Sequence, residues 1–241
     1  MTVVGIARVR NEQDVILSVV DHMLDECDTV IVADNNSTDT TLEILFKLQA
    51  WESRLILVNE PSFGFNQTET MNWLANMVPA DWIVPFDADE WWDAPGGISE
   101  ALMALPSDVV ATMAQMYDMV PQPDDPDGDP FSSISMTRPG SLWAGIGKVA
   151  FRPGQGRVLD RGNHRLVDTG AVPGPLRIRH YPFRTKEQAR AKLQHGSKSV
   201  AAHESDPTIG WHWRKWGSLS DVEFDDWWAE WTKPEGLVRW M

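Results

Sequence analysis

Cysteine is nearly absent from this chain: Cys27 is the only one in 241 residues. An intrachain disulfide is therefore impossible, and a reducing cytoplasm is the expected setting. No Cys/His cluster has the spacing of a zinc site. No run of about 18 apolar residues occurs, so no membrane span is expected. The N-terminus lacks a basic region followed by a long apolar run, so no secretory signal is evident. There is no G-x-S-x-G turn and no Walker-type loop, which disfavours a serine hydrolase and a P-loop enzyme. Basic residues are scarce in one region only. Residues 1–137 hold 4 Lys/Arg against 24 Asp/Glu, whereas residues 138–216 hold 15 against 5 and residues 217–241 hold 2 against 6. The net charge of −14 is thus the sum of an acidic first half, a basic middle and an acidic tail. Five of the six histidines lie in the basic stretch. Two readings stay open: the basic residues pair with the acidic half, or they meet phosphates on a nucleotide or on a polyanionic acceptor.

What is present is an alternation of apolar runs with two periods. Val3–Ala7, Thr29–Ala33, Leu55–Val58 and Trp82–Phe86 read as buried strands. Between them, Glu12–Leu24, Thr38–Gln49 and Asn66–Met77 carry apolar residues at helical spacing. Strands alternating with helices predict a parallel sheet with right-handed crossovers, built from residues 1–90. Beyond that point the alternation fails. Ile98–Leu105 reads as a short helix, Val109–Met116, Lys148–Phe151 and Leu176–Tyr181 as strands, and Thr185–His203 as a helix opened by a Thr185/Gln188 capping box. Pro121–Pro130 superficially resembles a calcium loop, but the oxygen spacing and closing Glu of an EF-hand are missing, so it reads as a solvated loop. Gly145-Ile146-Gly147-Lys148-Val149-Ala150 fits a loose dinucleotide fingerprint, but Phe151-Arg152-Pro153 follows where a helix should begin, and that reading is rejected. The last 31 residues hold seven tryptophans, which suit a stacking platform for sugars or bases, or equally a core or dimer interface.

The strongest chemical signal is Trp82-Ile83-Val84-Pro85-Phe86-Asp87-Ala88-Asp89-Glu90-Trp91, where an apolar strand ends in three carboxylates within four residues. The C-terminal ends of strands are where open α/β sheets place ligands. In extended backbone Asp87 and Asp89 would point to the same side, and two adjacent carboxylates call for a cation between them. Hard divalent ions take one or two carboxylates plus substrate phosphates. The segment therefore predicts a metal–diphosphate site, with an acidic turn as the structural alternative. Asp34, at the end of the second strand, can accept hydrogen bonds from a ribose or base, or simply cap the turn Asp34-Asn35-Asn36-Ser37. His180 and His164 can complete a site already supplied with carboxylates, although a lone histidine is more often packed or exposed.

Four short motifs in register resemble those of GT-A fold glycosyltransferases in the broad family-2-like group. They are Arg10-Asn11-Glu12 after the first strand, Asp34-Asn35-Asn36-Ser37-Thr38-Asp39-Thr40-Thr41, the block from Asp81 to Trp91, and His180-Tyr181-Pro182-Phe183-Arg184-Thr185. The match covers roughly residues 1–200. It implies an α/β GT-A-type fold: a Rossmann-like, mostly parallel sheet flanked by helices. Residues 1–90 would form the nucleotide-binding half and 91–200 the acceptor half, with 201–241 a Trp-rich C-terminal extension packed on them. It also implies an enzyme moving a sugar from a nucleotide-diphosphate donor to an acceptor hydroxyl. Base and ribose would lie against Arg8, Asn11, Glu12, Asp34 and Asp39. Asp87 would reach the ribose or the metal, Asp89 and His180 would hold Mn²⁺ or Mg²⁺, and Lys148 and Arg184 could assist at the phosphates. The E-D pair and the Q-x-x-R-W element of many inverting members are missing. Asp160 and His164, with Asp118 behind them, are therefore the candidate bases, and a retaining course stays open. The acceptor could be anionic, including a hydroxyl-bearing base in nucleic acid, or a protein side chain, glycan or small molecule. Oligomeric state stays open. A catalytically inactive nucleotide- or sugar-binding module is the alternative from another class.

Overall fold

The computed structural model describes residues 1–60, 67–138, 147–154, 156–167, 169–203, 206 and 210–240. The chain divides into two compact units. One comprises Met1–Ser62, Asn66–Tyr117 and Gly140–His180, the other Phe63–Phe65, Asp118–Pro139 and Tyr181–Met241.

The first unit opens with the expected alternation: β1 (Val3–Val9), α1 (Ile16–Glu26), β2 (Thr29–Asp34), α2 (Thr41–Gln49), β3 (Leu55–Asn59), α3 (Gln67–Leu74) and β4 (Trp82–Pro85). It continues with β5 (Glu90–Asp93), α4 (Ile98–Met103) and β6 (Ala111–Asp118). The second unit takes in α5 (Pro130–Ser133) and β7 (Met136–Thr137) before the chain returns to the first with β8 (Lys148–Phe151) and β9 (Val172–His180). The remaining elements, α6 (Lys186–His203), α7 (Trp211–Gly217), α8 (Asp221–Trp231) and β10 (Val238–Arg239), belong to the second unit.

In the first unit eight strands form one sheet in the order β3-β2-β1-β4-β8-β6-β9-β5. The pairs β1/β2, β1/β4 and β2/β3 are parallel, as predicted for residues 1–90. The pairs β4/β8, β6/β8 and β5/β9 are antiparallel. The failure of alternation after Asp89 is thus the switch from a parallel to an antiparallel half of one sheet. Parallel strands covered on both faces need apolar residues throughout, and β1, β2 and β4 are buried along almost their whole length. On one face Ile6, Ile31, Ile83, Val149 and Phe151 pack with Met71 and Leu74 of α3. Trp82 is fully buried, and the Arg152 guanidinium lies 4.6 Å from its ring centroid.

β5 escaped the sequence reading because Glu90–Asp93 is short and carries two carboxylates. It is an edge strand, and His22 of α1 covers its outer side, with Nε2 2.6 Å from the Trp92 carbonyl and the imidazole stacked 3.9 Å from Trp91. An edge closed by a side chain is less open to pairing with another chain.

In the second unit Val120, Phe183, Ala189, Leu193, Phe224 and Trp231 form a core, with Trp213, Trp216, Trp227 and Trp228 packed against it. The tail tryptophans are therefore mainly packing residues, although Trp211 is exposed. A capping box opens α8: the Ser220 hydroxyl accepts from the Glu223 N–H and the Glu223 carboxylate from the Ser220 N–H. At the start of α6, Thr185 Oγ1 accepts from the Gln188 N–H, but the Gln188 side chain accepts from Arg184 N–H instead of Thr185. The predicted box is thus shifted by one residue on one side. Pro121–Pro130 is turn-rich, and Asp129 ends it by capping α5 through the Phe131 N–H.

Candidate functional site

β4 delivers the chain to a tight turn. The Glu90 N–H donates to the Asp87 carbonyl at 3.1 Å, and the Asp87 N–H donates to Glu90 Oε2 at 3.0 Å. The backbone between these residues is therefore a turn and not extended, and the expected alternation of Asp87 with Asp89 does not apply. In a four-residue turn the first and last positions come together. Asp87 accordingly pairs with Glu90, and the cation between them is Lys148. Its Nζ lies 2.5 Å from Asp87 Oδ2 and 3.0 Å from Glu90 Oε1. Lys148 is the first residue of β8, whose antiparallel register with β6 sets it opposite Ala114. Gly147 permits this approach, because a Cβ there would collide with the Ala114 carbonyl oxygen.

The Lys148 side chain is 2 % exposed and that of Glu90 1 %, while Asp87 keeps 33 %. Burial of a charge without a partner is costly. Here burial works to lower the Lys148 pKa, but the Asp87 and Glu90 carboxylates outweigh it and hold the ammonium above the usual lysine range. Burial pushes the Glu90 carboxyl up to about 7, against the pull of Lys148. Glu90 was missed as a functional residue. The signal was present, since a third carboxylate three positions after Asp87 becomes its neighbour once the segment turns.

Asp89 points elsewhere. Its Oδ2 lies 3.7 Å from His180 Nε2, at the end of β9 where His180 stands opposite Glu90 in the register. A carboxylate oxygen suits Mn²⁺ or Mg²⁺ that takes its other ligands from phosphates and water, and an imidazole nitrogen is better matched to Mn²⁺ than to the harder Mg²⁺. Among the described residues no three Asp, Glu, His or Cys side chains converge into a ready-made metal cage. The donor set thus fits an ion held by two protein ligands, not by three.

His164 follows the 3₁₀ turn Arg161–Asn163. Its Nδ1 lies 2.9 Å from the Gly147 carbonyl oxygen. A carbonyl only accepts, so Nδ1–H donates and the lone pair resides on Nε2. Burial lowers the His164 pKa, and the Lys148 charge adds to this, so the ring is neutral at pH 7. The ring packs over Gly162, at positive φ, where a Cβ would stand 2.6 Å from Nε2. Asp160 is committed to the same loop: Oδ1 accepts from the N–H groups of His164 and Arg165, and Oδ2 from Arg165 Nε at 2.7 Å. Of the two candidate bases in this unit, His164 has the nitrogen to spare.

The ends of β1 and β2 carry the other predicted residues of the first unit. Asp34 is fully buried, its Oδ2 accepts from the Ser37 N–H at 3.0 Å, and its Oδ1 has no partner. The capping role is thus realised with one oxygen left over. Asn11 Oδ1 accepts from the Thr38 N–H at 2.7 Å, and the Asp39 carboxylate accepts from the N–H groups of Thr41 and Gln13. The Glu12 N–H donates to Thr41 Oγ1, so these residues tie the two strand-end loops together. Asn11 and Asn36 both adopt positive φ to make these loops. Arg8 pairs with Glu60 at 2.6 Å, and Thr70 Oγ1 donates to the other oxygen of Glu60. In the second unit, Arg184 is buried with Nη1 3.2 Å from the Tyr181 carbonyl, and the fully buried Asp118 accepts from Thr137 Oγ1 through its own carbonyl.

Part of the basic stretch is answered from within the molecule. Arg177 pairs with Asp93, Lys186 with Asp225 and Arg190 with Asp221. Arg157 donates to the carbonyls of Arg152 and Pro153. The loose fingerprint at Gly145–Ala150 begins outside the described residues. No helix among the described residues is long and apolar enough to cross a membrane.

A parallel α/β half carrying an acidic turn at the end of its fourth strand, joined to an antiparallel half, defines the GT-A class of nucleotide-sugar-dependent folds. The Glycosyl transferase family 2 profile matches residues 6–134, and the chain belongs to that family. The Mycobacterium tuberculosis protein Rv3786c and the Mycobacterium bovis protein Mb3815c are each 27% identical in an alignment of 207 residues that covers 75% of this chain. The chain spans about half the length of these curated relatives. Among solved structures, the mannosyltransferase PcManGT from Pyrobaculum calidifontis, in complex with GDP-Man and Mn²⁺, shares the fold with a TM-score of 0.51 at 16% identity, over 95% of this chain and 73% of that one. S. aureus TarS 1-349 aligns over 98% of this chain and 74% of that one, with a TM-score of 0.49 at 12% identity.

Proposed function

We propose that this chain transfers a sugar from a nucleotide-diphosphate donor to an acceptor hydroxyl, with a divalent ion, Mn²⁺ or Mg²⁺, at Asp89 and His180. The observation that carries the reading is the separation of the acidic turn into two groups, one neutralised by Lys148 and one left to His180. A site that binds a diphosphate cannot leave its carboxylates uncompensated, because like charges repel. Membership of the family supports the reaction class.

In this reading the spare, buried oxygen of Asp34 accepts a hydrogen bond from the donor's ribose or base. Asn11, Glu12 and Asp39 brace the loops around it, and Arg8 fixes the neighbouring strand end through Glu60. Asp87, anchored on Lys148, turns its more exposed side to the donor. His164 Nε2 receives the proton of the attacking hydroxyl, as a neutral imidazole can at neutral pH. Asp160 positions His164 and does not itself move a proton. When bound, the ion offsets charge on the departing diphosphate. Arg184 and Asp118 belong to the second unit and are given no part at the donor in this reading. The internal pairing of the basic stretch favours a neutral acceptor, a glycan, protein or small-molecule hydroxyl, over a polyanion such as nucleic acid. A reducing, cytoplasmic setting suits the single buried thiol.

The test is release of nucleoside diphosphate from a panel of donor sugars with Mn²⁺, alongside calorimetry with the nucleotides alone. Asp89→Asn removes a charge at constant size and should lower nucleotide affinity with Mn²⁺ at least tenfold, or about 1.4 kcal/mol. Binding without turnover of any donor would favour an inactive binding module instead.

A further inference from the structure

We infer that Gly162 and Asn163 are positioning residues for His164: their left-handed backbone, and not a hydrogen bond of the Asn163 amide, aims the imidazole and fixes which of its nitrogens carries the proton. The inference rests for its significance on the reading of His164 as proton acceptor, but the geometry that carries it is independent of that reading.

His164 stands near the tip of a short hairpin whose base is fixed. Leu159 and Leu166 pair across it in antiparallel sense, and both are buried in the core shared with α3. The Val167 N–H donates to the Val158 carbonyl at 2.9 Å, and the Asp160 N–H to the Arg165 carbonyl at 3.0 Å. Asn72 of α3 clasps the same hairpin: its Oδ1 accepts from the Leu159 N–H at 2.8 Å, and its Nδ2 donates to the Leu159 carbonyl at 3.0 Å. The direction of the imidazole is therefore decided within the tip. There the chain passes through two left-handed residues in succession, Gly162 at φ 79° and Asn163 at φ 61°. The turn they make lets the His164 and Arg165 N–H groups both donate to Asp160 Oδ1, and the Asn163 N–H donate to the Asp160 carbonyl at 3.2 Å. The imidazole folds back over residue 162, where a Cβ would stand 2.6 Å from Nε2 and 2.7 Å from Cδ2. A side chain at 162 would push the ring away from the Gly147 carbonyl that Nδ1 reaches at 2.9 Å.

Asn163 gives the sharper sign. It is fully buried, yet neither Oδ1 nor Nδ2 has a hydrogen-bond partner within the chain. A buried amide left unsatisfied costs stability, so no bond within the chain accounts for this side chain. What Asn offers instead is backbone. Apart from Gly, Asn and Asp enter the left-handed region most readily, and Asp would bury a charge there. A local cost held in place by the surrounding structure is the pattern found beside functional groups. The consequence lies in the ring. A hydrogen bond at one imidazole nitrogen decides which nitrogen is protonated, so a ring aimed at the Gly147 carbonyl keeps its proton on Nδ1 and its lone pair on Nε2. Loss of the left-handed pair frees the ring to turn and to populate the Nε2–H form, which has no lone pair there to accept a proton.

The experiment is nuclear magnetic resonance of the full chain with its histidine rings labelled with the heavy nitrogen isotope, above the pH range in which the ring titrates. His164→Gln supplies the assignment, and circular dichroism checks folding. The wild-type ring should show Nδ1 protonated and Nε2 bare. Gly162→Ala and Asn163→Ala should populate the other tautomer. With whichever donor the chain turns over, they should also lower kcat by up to about 10²-fold with KM little changed, the cost of misplacing a reacting group by about 1 Å. Asn163→Gly keeps the left-handed backbone without the amide and should restore both the wild-type tautomer and the rate. A wild-type ring protonated at Nε2 would overturn the inference at once, and that measurement needs no variant. So would an unchanged tautomer in Asn163→Ala, or an Asn163→Gly that behaves like Asn163→Ala, which would return the role to the amide. If Asn163→Ala does not fold, Gly162→Ala decides in its place, and if no donor is turned over the tautomers decide alone. Shifted tautomers with a full rate in these variants and in His164→Gln would remove the proton-acceptor reading and leave the positioning intact.

Discussion

The two units of this molecule are held together by different chemistry. The sheet unit buries aliphatic strands almost completely: Val3, Val4, Ile6, Val30, Ile31, Val32 and Val84 have no exposed surface. Into that core it sets charged groups, Lys148 and Glu90, that are tolerated only because they are paired. The second unit rests on rings. Phe183 meets Trp227 and Trp231 edge-on at about 5 Å between centroids, and Trp227 lies parallel to Trp231 at 6.2 Å. Its ion pairs lie at the surface, where Asp221 is 97 % exposed and such pairs contribute little. The comparison teaches that one unit spends its packing on positioning polar groups, while the other packs large rings whose edges and faces tolerate partial exposure.

The largest effect expected from breaking this comparison is on rate. His164→Ala should lower the rate constant by about 10²–10⁴, the usual contribution of a general base, with substrate affinity little changed. The neutral ring is the active form, and burial holds its pKa below 6.5. Activity should therefore persist as pH falls to 6.5 and be lost only as pH drops through the lowered value. A full rate in His164→Ala would take the proton transfer away from this histidine.

Stability gives the next contrast. Trp82 is fully buried, and Trp82→Ala should cost about 3–5 kcal/mol, read from denaturant midpoints. Trp228 is only partly buried, and Trp228→Ala should cost nearer 1 kcal/mol, within the ordinary range for single substitutions. Equal losses would mean that the rings of the second unit are packed as tightly as the sheet core. The smallest effect belongs to the cap. Ser220→Ala removes the acceptor for the Glu223 N–H and should cost about 1 kcal/mol, visible as a lower midpoint with unchanged nucleotide affinity.

The parallel half of the sheet was legible because period and composition agree there. Val3–Ala7, Thr29–Ala33 and Leu55–Val58 are apolar on both faces and are separated by amphipathic helices, which leaves few alternatives. β5 was not legible, since Glu90-Trp91-Trp92-Asp93 is strand only by pairing with β9 across the sheet. The four motif segments were visible, but the extended-backbone argument for Asp87 and Asp89 was overturned by the turn that brings Asp87 to Glu90. The charge asymmetry was also visible, and its meaning was not: Arg177 and Arg190 could not be assigned their partners Asp93 and Asp221 from spacing.

The sequence by itself determined the α/β alternation, the cluster of carboxylates at the end of the fourth strand, and that no intrachain disulfide can form. Those follow from local propensity and from which residue types exist. Only the tertiary structure decided which carboxylate answers to which cation. Lys148 lies 61 residues from Asp87 and reaches it because β8 joins the sheet beside β4 in antiparallel sense. That register is set by long-range strand pairing and by the burial of Val149 and Phe151 in the common core, which no local pattern around either residue encodes.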